Sequence, residues 1–490
     1  MYFSLSDLVN KVLDERWHGF ISFSDSRDGV NTRLLKKEIY SRINSIKELK
    51  IQQGEVVIVE SVYSTHSIST LLACWHLGIT VIPVKFNALS EVEKIAIDSG
   101  ARIFLGEVGD CWLGIPSPYT PLFKTSKPYP VTSVDLAMII YSSGSTGHPK
   151  GICLTHGNVL QALSSLTFYL DLKENDKIMC VSPMSFDYGL YQLLFSLYCD
   201  LDIIFYRDHL NPVTFIKKLK EFDITCLPIV PVISNILISG LKLTKSELPS
   251  LKKITNTGGR LGVSEIQSIL KFLPDIDIYC MYGLTETKRV LYLHPKDLIR
   301  KMGSVGLPIP GLVAKLFRKV ENNGQCIYEE VENGQVGELF VRSGMVMQGY
   351  KSQSNTGCGL INGKYRDDNW LSTGDLFKQD SDGYFYFVGR SKELIKQAGF
   401  CLYPNEIEDI VGLIPEIEMC VVIPDEDRNG NEIAHIAIKS DFDKELILLK
   451  LNEVLDVDYR PKKVTFLADF IFTQNGKIDR NGMKEAIVNG

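Results

Sequence analysis

An apolar run that opens into a loop of glycine, serine and threonine constrains this chain more than any other segment. Residues 136–140 read Leu-Ala-Met-Ile-Ile, a pattern typical of a buried strand. Residues 141–151 continue as Tyr-Ser-Ser-Gly-Ser-Thr-Gly-His-Pro-Lys-Gly. Glycines let the backbone approach a ligand, N–H and hydroxyl groups donate to phosphate oxygens, and a lysine adds positive charge. The segment predicts a polyphosphate-binding loop, although a surface turn can have the same composition.

This loop differs from the two best-known nucleotide-binding loops. A Walker A loop ends in Gly-Lys-Ser/Thr, whereas Pro149 precedes Lys150 here and Gly151 follows it. The loop also lacks the Gly-x-Gly-x-x-Gly pattern of dinucleotide-binding folds. We therefore expect a polyphosphate site of another class.

Strand-like apolar runs alternate with helical patterns from about residue 55 onward. Such runs occupy residues 56–59, 80–84, 178–181, 201–206 and 225–229. This alternation predicts an α/β fold with layered, mostly parallel sheets in a large N-terminal domain. A polar, Gly- and Asn-rich stretch at 321–335 predicts hairpin turns in a smaller β-rich subdomain.

Composition narrows the functional classes. A chain of 490 residues needs two or more domains, and a net charge of −6 without a basic stripe excludes nucleic acid as a partner. Eleven scattered cysteines without a Cys-x-x-Cys pair indicate free thiols, and the histidines lack zinc-site spacing. The sequence has no signal-peptide pattern and no long apolar run. We expect a cytoplasmic enzyme without a membrane span.

Further motifs follow the loop in a fixed order. They are residues 282–286 (Tyr-Gly-Leu-Thr-Glu), 337–339 (Gly-Glu-Leu), 349–350 (Gly-Tyr), 372–375 (Ser-Thr-Gly-Asp), 389–390 (Gly-Arg) and 475–480 (Asn-Gly-Lys-Ile-Asp-Arg). This set closely resembles the adenylate-forming superfamily: acyl-CoA synthetases, peptide-synthetase adenylation domains and luciferases. The resemblance covers nearly the whole chain.

The resemblance implies a two-step reaction. A carboxylate would attack the α-phosphate of ATP with Mg²⁺ present, giving an acyl-adenylate and pyrophosphate. The acyl group would then pass to a pantetheine thiol, on coenzyme A or a phosphopantetheinyl carrier protein. The implied architecture is an ATP- and acid-binding domain at 1–390 and a small, mobile α+β domain at 391–490, with Lys392 as the hinge.

The resemblance also assigns contacts with ATP. The implied phosphate contacts are Ser142, Ser143, Gly144, Ser145, Thr146, Gly147 and Lys150. The segment beside the adenine is Thr257, Gly258, Gly259 and Arg260, and the residue stacked on the adenine is Tyr282. Thr285 would bind the α-phosphate and Glu286 would hold Mg²⁺, which favours carboxylate and phosphate oxygens. Asp375 would accept the ribose hydroxyls, and Arg390 would make a second ribose or phosphate contact.

Three residues of the predicted small domain complete the set that the resemblance implies. Lys477 would reach the carboxylate and the α-phosphate from a loop tip, because Asn475-Gly476 favours a tight turn. Lys396 and Gly399 would line a tunnel for the thiol arm, where a glycine leaves room for a thin ligand. Gly399 also fits an ordinary turn.

The acid pocket is expected between about residues 184 and 310, with Phe186, Asp187, Gly189 and Met281 as candidate contacts. Asp187 fits two roles: a partner for the ammonium of an amino acid, or an N-cap of the following apolar helix. Lys288 and Arg289 could bind an acidic substrate group or phosphate, or pair with surface carboxylates.

Several functional questions stay open at this point. An amino-acid-adenylating ligase that loads a carrier, an amide-forming ligase, an oxidising luciferase-type enzyme and a silent scaffold share this resemblance. The intact Lys150, Glu286, Asp375 and Lys477 disfavour the scaffold. The acid, the acceptor and the oligomeric state are not determined by the sequence.

Overall fold

Three large sheets with packed helices make up most of the chain, and a smaller unit follows them. The computed structural model describes residues 2–26, 29–86, 88–114, 128–142, 150–322, 325–351, 360–362, 368–428, 430–473 and 478–489. The α/β class predicted from the alternating runs is confirmed.

The α-helices of the described residues lie mainly in the first 272 positions. They are α1 (Leu5–Leu13), α2 (Thr32–Glu48), α3 (Thr65–His76), α4 (Leu89–Ser99), α5 (His156–Leu170), α6 (Asp187–Cys199), α7 (Pro212–Glu221), α8 (Pro231–Thr244), α9 (Val263–Phe272), α10 (Pro404–Val411), α11 (Lys444–Val454) and α12 (Arg480–Asn489).

The strands are numbered in chain order. Those before residue 260 are β1 (Ile21–Phe23), β2 (Gly29–Val30), β3 (Val56–Glu60), β4 (Thr80–Val84), β5 (Ile103–Leu105), β6 (Asp110–Trp112), β7 (Leu136–Ser142), β8 (Lys150–Thr155), β9 (Lys177–Cys180), β10 (Asp202–Phe205), β11 (Cys226–Ile229) and β12 (Lys253–Asn256). Those after it are β13 (Asp277–Tyr282), β14 (Leu291–Leu293), β15 (Leu307–Pro308), β16 (Val313–Asn322), β17 (Gln325–Glu330), β18 (Gly337–Arg342), β19 (Gly349–Tyr350), β20 (Leu360–Asn362), β21 (Asn369–Gln379), β22 (Phe385–Arg390), β23 (Ile395–Gln397), β24 (Phe400–Leu402), β25 (Met419–Glu426), β26 (Glu432–Lys439) and β27 (Lys463–Phe466).

Two sheets carry the α/β part of the fold. The nine-stranded sheet has the order β15-β14-β13-β12-β11-β9-β10-β1-β2, and the seven-stranded sheet has the order β19-β8-β7-β4-β3-β5-β6. In the nine-stranded sheet, the successive neighbours β13, β12, β11 and β9 pair in parallel. In the seven-stranded sheet, β4 pairs in parallel with both β3 and β7. One continuous apolar core joins helices α1, α3, α5 and α6 to both sheets. This packing fixes the two sheets relative to each other.

A third sheet is antiparallel and carries one side of the candidate site. Its order is β17-β16-β18-β21-β20, and β22 pairs with β21. Strands β16 and β17 form a hairpin in the stretch whose composition predicted hairpin turns, which confirms the β-rich subdomain.

The residues after 390 have a sheet and an apolar core of their own. Strands β25, β26 and β27 form a three-stranded sheet, and β23 and β24 form a hairpin. The apolar clusters of this part contain no residue from before position 395. Helix α10 contacts the large part through two ion pairs, Arg260 with Asp409 and Lys378 with Glu406. A division at 390/391 remains a prediction.

Two further expectations from the sequence concern the state of the cysteines and the presence of a membrane span. The ten cysteines of the described residues are all free thiols. Among the described residues, no helix is long and apolar enough to cross a membrane.

Candidate active site

The candidate site lies where the carboxyl ends of parallel strands meet. Strands β9, β11, β12 and β13 end at this edge of the nine-stranded sheet, and the loops after β12 and β13 contain residues 257–260, Thr285 and Glu286 of the predicted ligand contacts. Ligands of open α/β sheets bind at this edge. Residues 282–288 are central here, because they leave the nine-stranded sheet and their side chains contact residues of the other two large sheets and of helix α6.

Tyr282, Asp375 and Arg390 form one cluster. The Tyr282 hydroxyl donates to Asp375 Oδ2 at 2.6 Å, and Arg390 Nε lies 3.2 Å from Asp375 Oδ1. Asp375 and Arg390 are cross-strand partners on β21 and β22, which places them together by register. Each carboxylate oxygen can accept another hydrogen bond, so Asp375 can still accept ribose hydroxyls.

Burial sets the electrostatics of this cluster. Asp375 is buried, and burial raises the pKa of its carboxyl, while Arg390 and the Tyr282 hydroxyl oppose the rise. Burial and the adjacent Asp375 raise the pKa of Tyr282 well above its usual value. Tyr282 is therefore a neutral donor at every physiological pH. Its ring packs edge-on against Phe377 at 4.9 Å and parallel to Phe387 at 6.2 Å, and its stacking on adenine stays a prediction.

Lys150, Tyr350 and Glu286 form a second cluster. The Tyr350 hydroxyl donates to Glu286 Oε1 at 2.8 Å, and Lys150 Nζ lies 5.3 Å from the centre of the Tyr350 ring. Strand β8 holds Lys150 opposite Ser142 of β7 and also pairs with β19, which carries Tyr350. Tyr350 was not among the predicted site residues, although the Gly-Tyr motif at 349–350 was a signal for it.

The phosphate loop itself is only partly described. Ser143, Gly144, Ser145, Thr146 and Gly147 lie outside the described residues. Their predicted phosphate contacts therefore stay predictions.

The segment predicted to lie beside adenine follows β12 directly. Thr257 is buried, Gly258 has a φ of +79° that favours glycine, and a Cβ at Gly259 would lie 2.5 Å from the Pro231 ring. The Arg260 guanidinium contacts Asp409 of helix α10. Its side chain thus pairs with the small unit.

Residues 283–290 form a tight loop after β13. The Lys288 N–H donates to the Leu284 carbonyl at 2.7 Å, and the Val290 N–H donates to the Tyr282 carbonyl at 2.9 Å. A Cβ at Gly283 would lie 2.2 Å from the Lys288 carbonyl oxygen, so this position requires glycine. Lys288 has a φ of +74°, which costs about 1 kcal/mol for a residue with a Cβ. Thr285 and Glu286 lie half-buried in this loop.

Asp187 has a partner that neither sequence interpretation included. Lys288 Nζ lies 3.3 Å from Asp187 Oδ2, with 2% and 5% of the two side chains exposed. The N-cap interpretation is wrong: Phe186 is the N-cap of α6, and Asp187 is the first helical residue. Because Lys288 occupies the position that a substrate ammonium would take, the amine-pairing interpretation loses its basis. The surface-carboxylate interpretation of Lys288 is also wrong, since Asp187 is buried.

A small cavity of about 10 Å³ lies between α5, α6 and the nine-stranded sheet, and most of the side chains that line it are apolar. Met281, a predicted substrate contact, lines it together with Arg289, Tyr188 and Gln192. Met281 Sδ also accepts from the Tyr169 hydroxyl at 3.0 Å. Arg289 is buried and forms no ion pair with any carboxylate of the described residues.

Phe186 and Gly189, two further predicted substrate contacts, are not among the residues that line this cavity. Phe186 packs against the apolar core between helices α7, α8 and α9 and the nine-stranded sheet. A Cβ at Gly189 would lie 2.0 Å from the Ser182 carbonyl oxygen. The glycine therefore lets α6 pack closely on the loop after β9. Their contacts with substrate stay predictions.

The residues assigned to the mobile domain are located as follows. Lys392 is exposed in the turn between β22 and β23, and Lys396 is exposed on β23. Gly399 and Ala398 form the two-residue turn between β23 and β24, with φ values of +89° and +50°. This turn accounts for Gly399, and the thiol tunnel stays a prediction. Lys477 lies outside the described residues.

The acidic side chains of the site suit a Mg²⁺ ion that binds together with ATP. No group of three or more His, Cys, Asp or Glu side chains that could hold a metal occurs in the described parts of the chain. Glu286 can supply one carboxylate ligand, with one of its oxygens held by Tyr350. Phosphate oxygens and water would supply the others, as is usual for Mg²⁺.

The chain is similar to known proteins over most of its length. Residues 33–351 match the family described as AMP-binding enzyme. A probable CoA ligase of Humulus lupulus is 25% identical over 97% of this chain and 92% of its own length. A probable 4-coumarate–CoA ligase of Dictyostelium discoideum is 31% identical, but the match covers 68% of this chain and 60% of that protein. A crystal structure of an anthranilate CoA ligase with anthranoyl-AMP has the same fold, with a TM-score of 0.83, 20% identity and coverage of 99% and 97% of the two chains.

The solved structure agrees in fold, and the family match covers more than half of the chain. The chain belongs to the AMP-binding enzyme family.

Proposed function

We propose that this protein activates a carboxylic acid with ATP and Mg²⁺ and transfers the acyl group to coenzyme A. In the first step a carboxylate oxygen attacks the α-phosphorus, and pyrophosphate leaves. In the second step the thiol sulfur attacks the acyl carbonyl, AMP leaves, and the thiol proton is released. The relatives named above are CoA ligases, which supports coenzyme A over a carrier protein as acceptor.

One observation carries the proposal: the Tyr282–Glu286 segment joins two charged clusters. One end contacts Asp375, which pairs with Arg390, and the other contacts Tyr350, whose ring faces Lys150. The first cluster offers a carboxylate and a guanidinium to a ribose. The second offers an ammonium and a carboxylate suited to a phosphate–Mg²⁺ pair. An adenine nucleotide bound along this segment would meet both clusters.

The individual roles follow from these contacts. Lys150 neutralises charge on the β- and γ-phosphates and on the departing pyrophosphate. Thr285 donates to the α-phosphate. Glu286 holds Mg²⁺, which would supply positive charge against the phosphate oxygens, and the Tyr350 hydroxyl fixes the orientation of Glu286.

The small domain, at 391–490, would serve both half-reactions. In this proposal Lys477 binds the carboxylate and the α-phosphate during the first step. Rotation about Lys392 then brings the β23–β24 hairpin, with Lys396 and Gly399, towards the thiol. Such rotation has to break the Arg260–Asp409 pair. The enzyme would work in the cytoplasm, where ATP and coenzyme A are abundant.

Acid-dependent exchange of labelled pyrophosphate into ATP tests this function. A panel of fatty, aryl, dicarboxylic and amino acids should contain at least one acid that supports Mg²⁺-dependent exchange. Coenzyme A should then turn that acid into a thioester faster than a phosphopantetheinylated carrier protein does. Folded protein that supports no exchange with any acid would contradict the proposal, and a carrier preference would overturn the assignment of coenzyme A.

A further inference from the structure

Two cations and one carboxylate lie buried on the acid side of the site, and one of the cations, Arg289, lines the small cavity. Lys288 and Arg289 are 2% and 7% exposed, and Asp187 is 4% exposed. The carboxylate pairs with Lys288, and its contact with that ammonium is 3.3 Å. The positive charge of Arg289 therefore has no carboxylate partner among the described residues. A buried charge of this kind is unfavourable unless an anion compensates it.

The Arg289 guanidinium has unused donors. One terminal nitrogen donates to the Lys288 carbonyl at 2.7 Å, whereas Nε has no hydrogen-bond partner. The guanidinium carbon lies 4.8 Å from the centre of the Tyr188 ring, so the ring supports one face of the group. An arginine held flat in this way presents its fork of N–H groups in a fixed plane, which suits a carboxylate.

Other unpaired polar atoms belong to the same group. The Tyr191 hydroxyl is buried without a partner, and Lys288 Nζ lies 4.9 Å from the centre of its ring. Thr287 Oγ1, two residues before Arg289, is also buried without a partner. Buried polar groups are hydrogen-bonded in nearly all folded proteins. Together these atoms indicate a position built for a polar ligand.

This position lies away from the nucleotide clusters. Met281 and Tyr282 are successive residues of β13, so their side chains face opposite sides of the sheet. Tyr282 contacts Asp375, whereas Met281 lines the cavity together with Arg289. The reacting carboxylate has to meet the α-phosphate near Thr285. An anion at Arg289 is therefore a different group of the same acid.

We propose that Arg289 binds a second anionic group of the substrate, so that the enzyme selects acids with two carboxylates over apolar monocarboxylic acids. The proposal rests on the function proposed above and names its substrate class. The cavity beside Arg289 has room for about one water, so an anion that binds the guanidinium has to displace some of the side chains that line the cavity.

Matched acid pairs test the proposal. Glutarate and pentanoate, and benzene-1,2-dicarboxylate and 2-methylbenzoate, differ mainly in the second carboxylate. Exchange of pyrophosphate gives kcat/KM for each acid with the wild type, Arg289→Met and Arg289→Lys. Arg318→Met serves as the control, because Arg318 is an exposed residue on β16. The melting temperature of each variant, with and without each acid, reports folding and binding separately.

We expect the wild type to prefer at least one diacid over its matched monoacid by about 30-fold or more, as for a lost buried charge contact. Arg289→Met should remove this preference without lowering the melting temperature, and Arg289→Lys should restore part of it. Arg318→Met should keep the wild-type preference.

Three outcomes would overturn the proposal. A wild type that prefers monoacids contradicts the assignment of the substrate class. An equal loss for both members of a pair in Arg289→Met means that Arg289 binds the reacting carboxylate. An unchanged preference for the diacid in that variant means that another residue binds the second anionic group. Absence of exchange with every acid would instead reject the proposed function itself.

Discussion

Removing the Asp187 carboxylate should destabilise the large domain, because it leaves the Lys288 ammonium buried without a partner. The side chain of Lys288 is 2% exposed, and besides Asp187 the residue contacts the Tyr191 ring and its own loop. Breaking a buried ion pair at one partner costs about 3–5 kcal/mol. Asp187→Ala should therefore lower the free energy of unfolding by an amount in this range.

This cost translates into a modest change in melting temperature. Unfolding entropy of about 2.1 cal/mol/K per residue gives about 0.8 kcal/mol per kelvin for the predicted domain 1–390, so the expected decrease is about 4–6 °C. Replacing both partners with apolar residues, Asp187→Leu with Lys288→Met, should recover most of it, because no charge is then left buried.

The destabilisation should also depend on pH. Burial lowers the pKa of Lys288, with Asp187 and Glu286 opposing the decrease and Arg289 adding to it. Between the lowered folded pKa and the unfolded value, the unfolded chain binds more protons, so stability rises with pH. Because Asp187 raises the pKa of Lys288, Asp187→Ala should extend this window downward. The difference in melting temperature should shrink as pH rises through the interval between the Lys288 pKa of the variant and the higher Lys288 pKa of the wild type.

Calorimetry on the wild type, on Asp187→Ala and on the double variant Asp187→Leu with Lys288→Met tests these numbers. Glu329→Ala is the matched control: it breaks the pair with Arg318, whose side chains are 61% and 45% exposed, and should cost less than about 1 kcal/mol. An Asp187→Ala variant as stable as this control, or a temperature difference that is constant with pH, would refute the buried-pair reasoning.

Further predictions concern the reaction. Lys477→Ala should slow adenylate formation about 10²–10³-fold while the variant still converts supplied acyl-AMP to thioester; near-normal pyrophosphate exchange would remove Lys477 from the first step. Lys392→Pro should keep exchange and lose thioester formation, since proline fixes φ and opposes rotation; equal losses in both steps would make Lys392 an ordinary linker residue. Tyr350→Phe should raise the Mg²⁺ concentration needed for half-maximal exchange by about 10-fold, because Glu286 loses its orienting hydroxyl; an unchanged Mg²⁺ dependence would contradict that role.

Local sequence patterns predicted the elements well. The apolar runs at 56–59, 178–181 and 225–229 fall within or directly against strands β3, β9 and β11. Burial on both faces of a parallel sheet demands such continuous apolar runs. The order of strands within each sheet was not predictable, because it depends on pairing between distant segments.

The candidate site was predictable only where its chemistry lies in short motifs. Asp375 and Arg390 each lie in a recognisable motif, and strand register brings them together. The Tyr350–Glu286 bond joins residues 64 positions apart, so neither motif alone indicated it.

Asp187 shows where local reasoning fails. An aspartate before an apolar helix has the composition of an N-cap, yet its partner is 101 positions away. Lys288 reaches Asp187 from the loop after β13, where the φ of Lys288 is +74°. A positive φ is uncommon for a lysine, so the sequence did not predict this loop conformation. The role of Arg289 likewise depends on which cavity its side chain enters.

Direct detection of the acyl-adenylate tests the central claim. The protein is incubated with ATP, Mg²⁺ and the acid that gives the strongest pyrophosphate exchange, without thiol, and the bound species is identified by mass spectrometry. We expect a mass equal to the acid plus AMP less one water, which disappears when coenzyme A is added while the acyl-CoA mass appears. An intermediate with the mass of an acyl phosphate, together with ADP in place of AMP, would contradict the account.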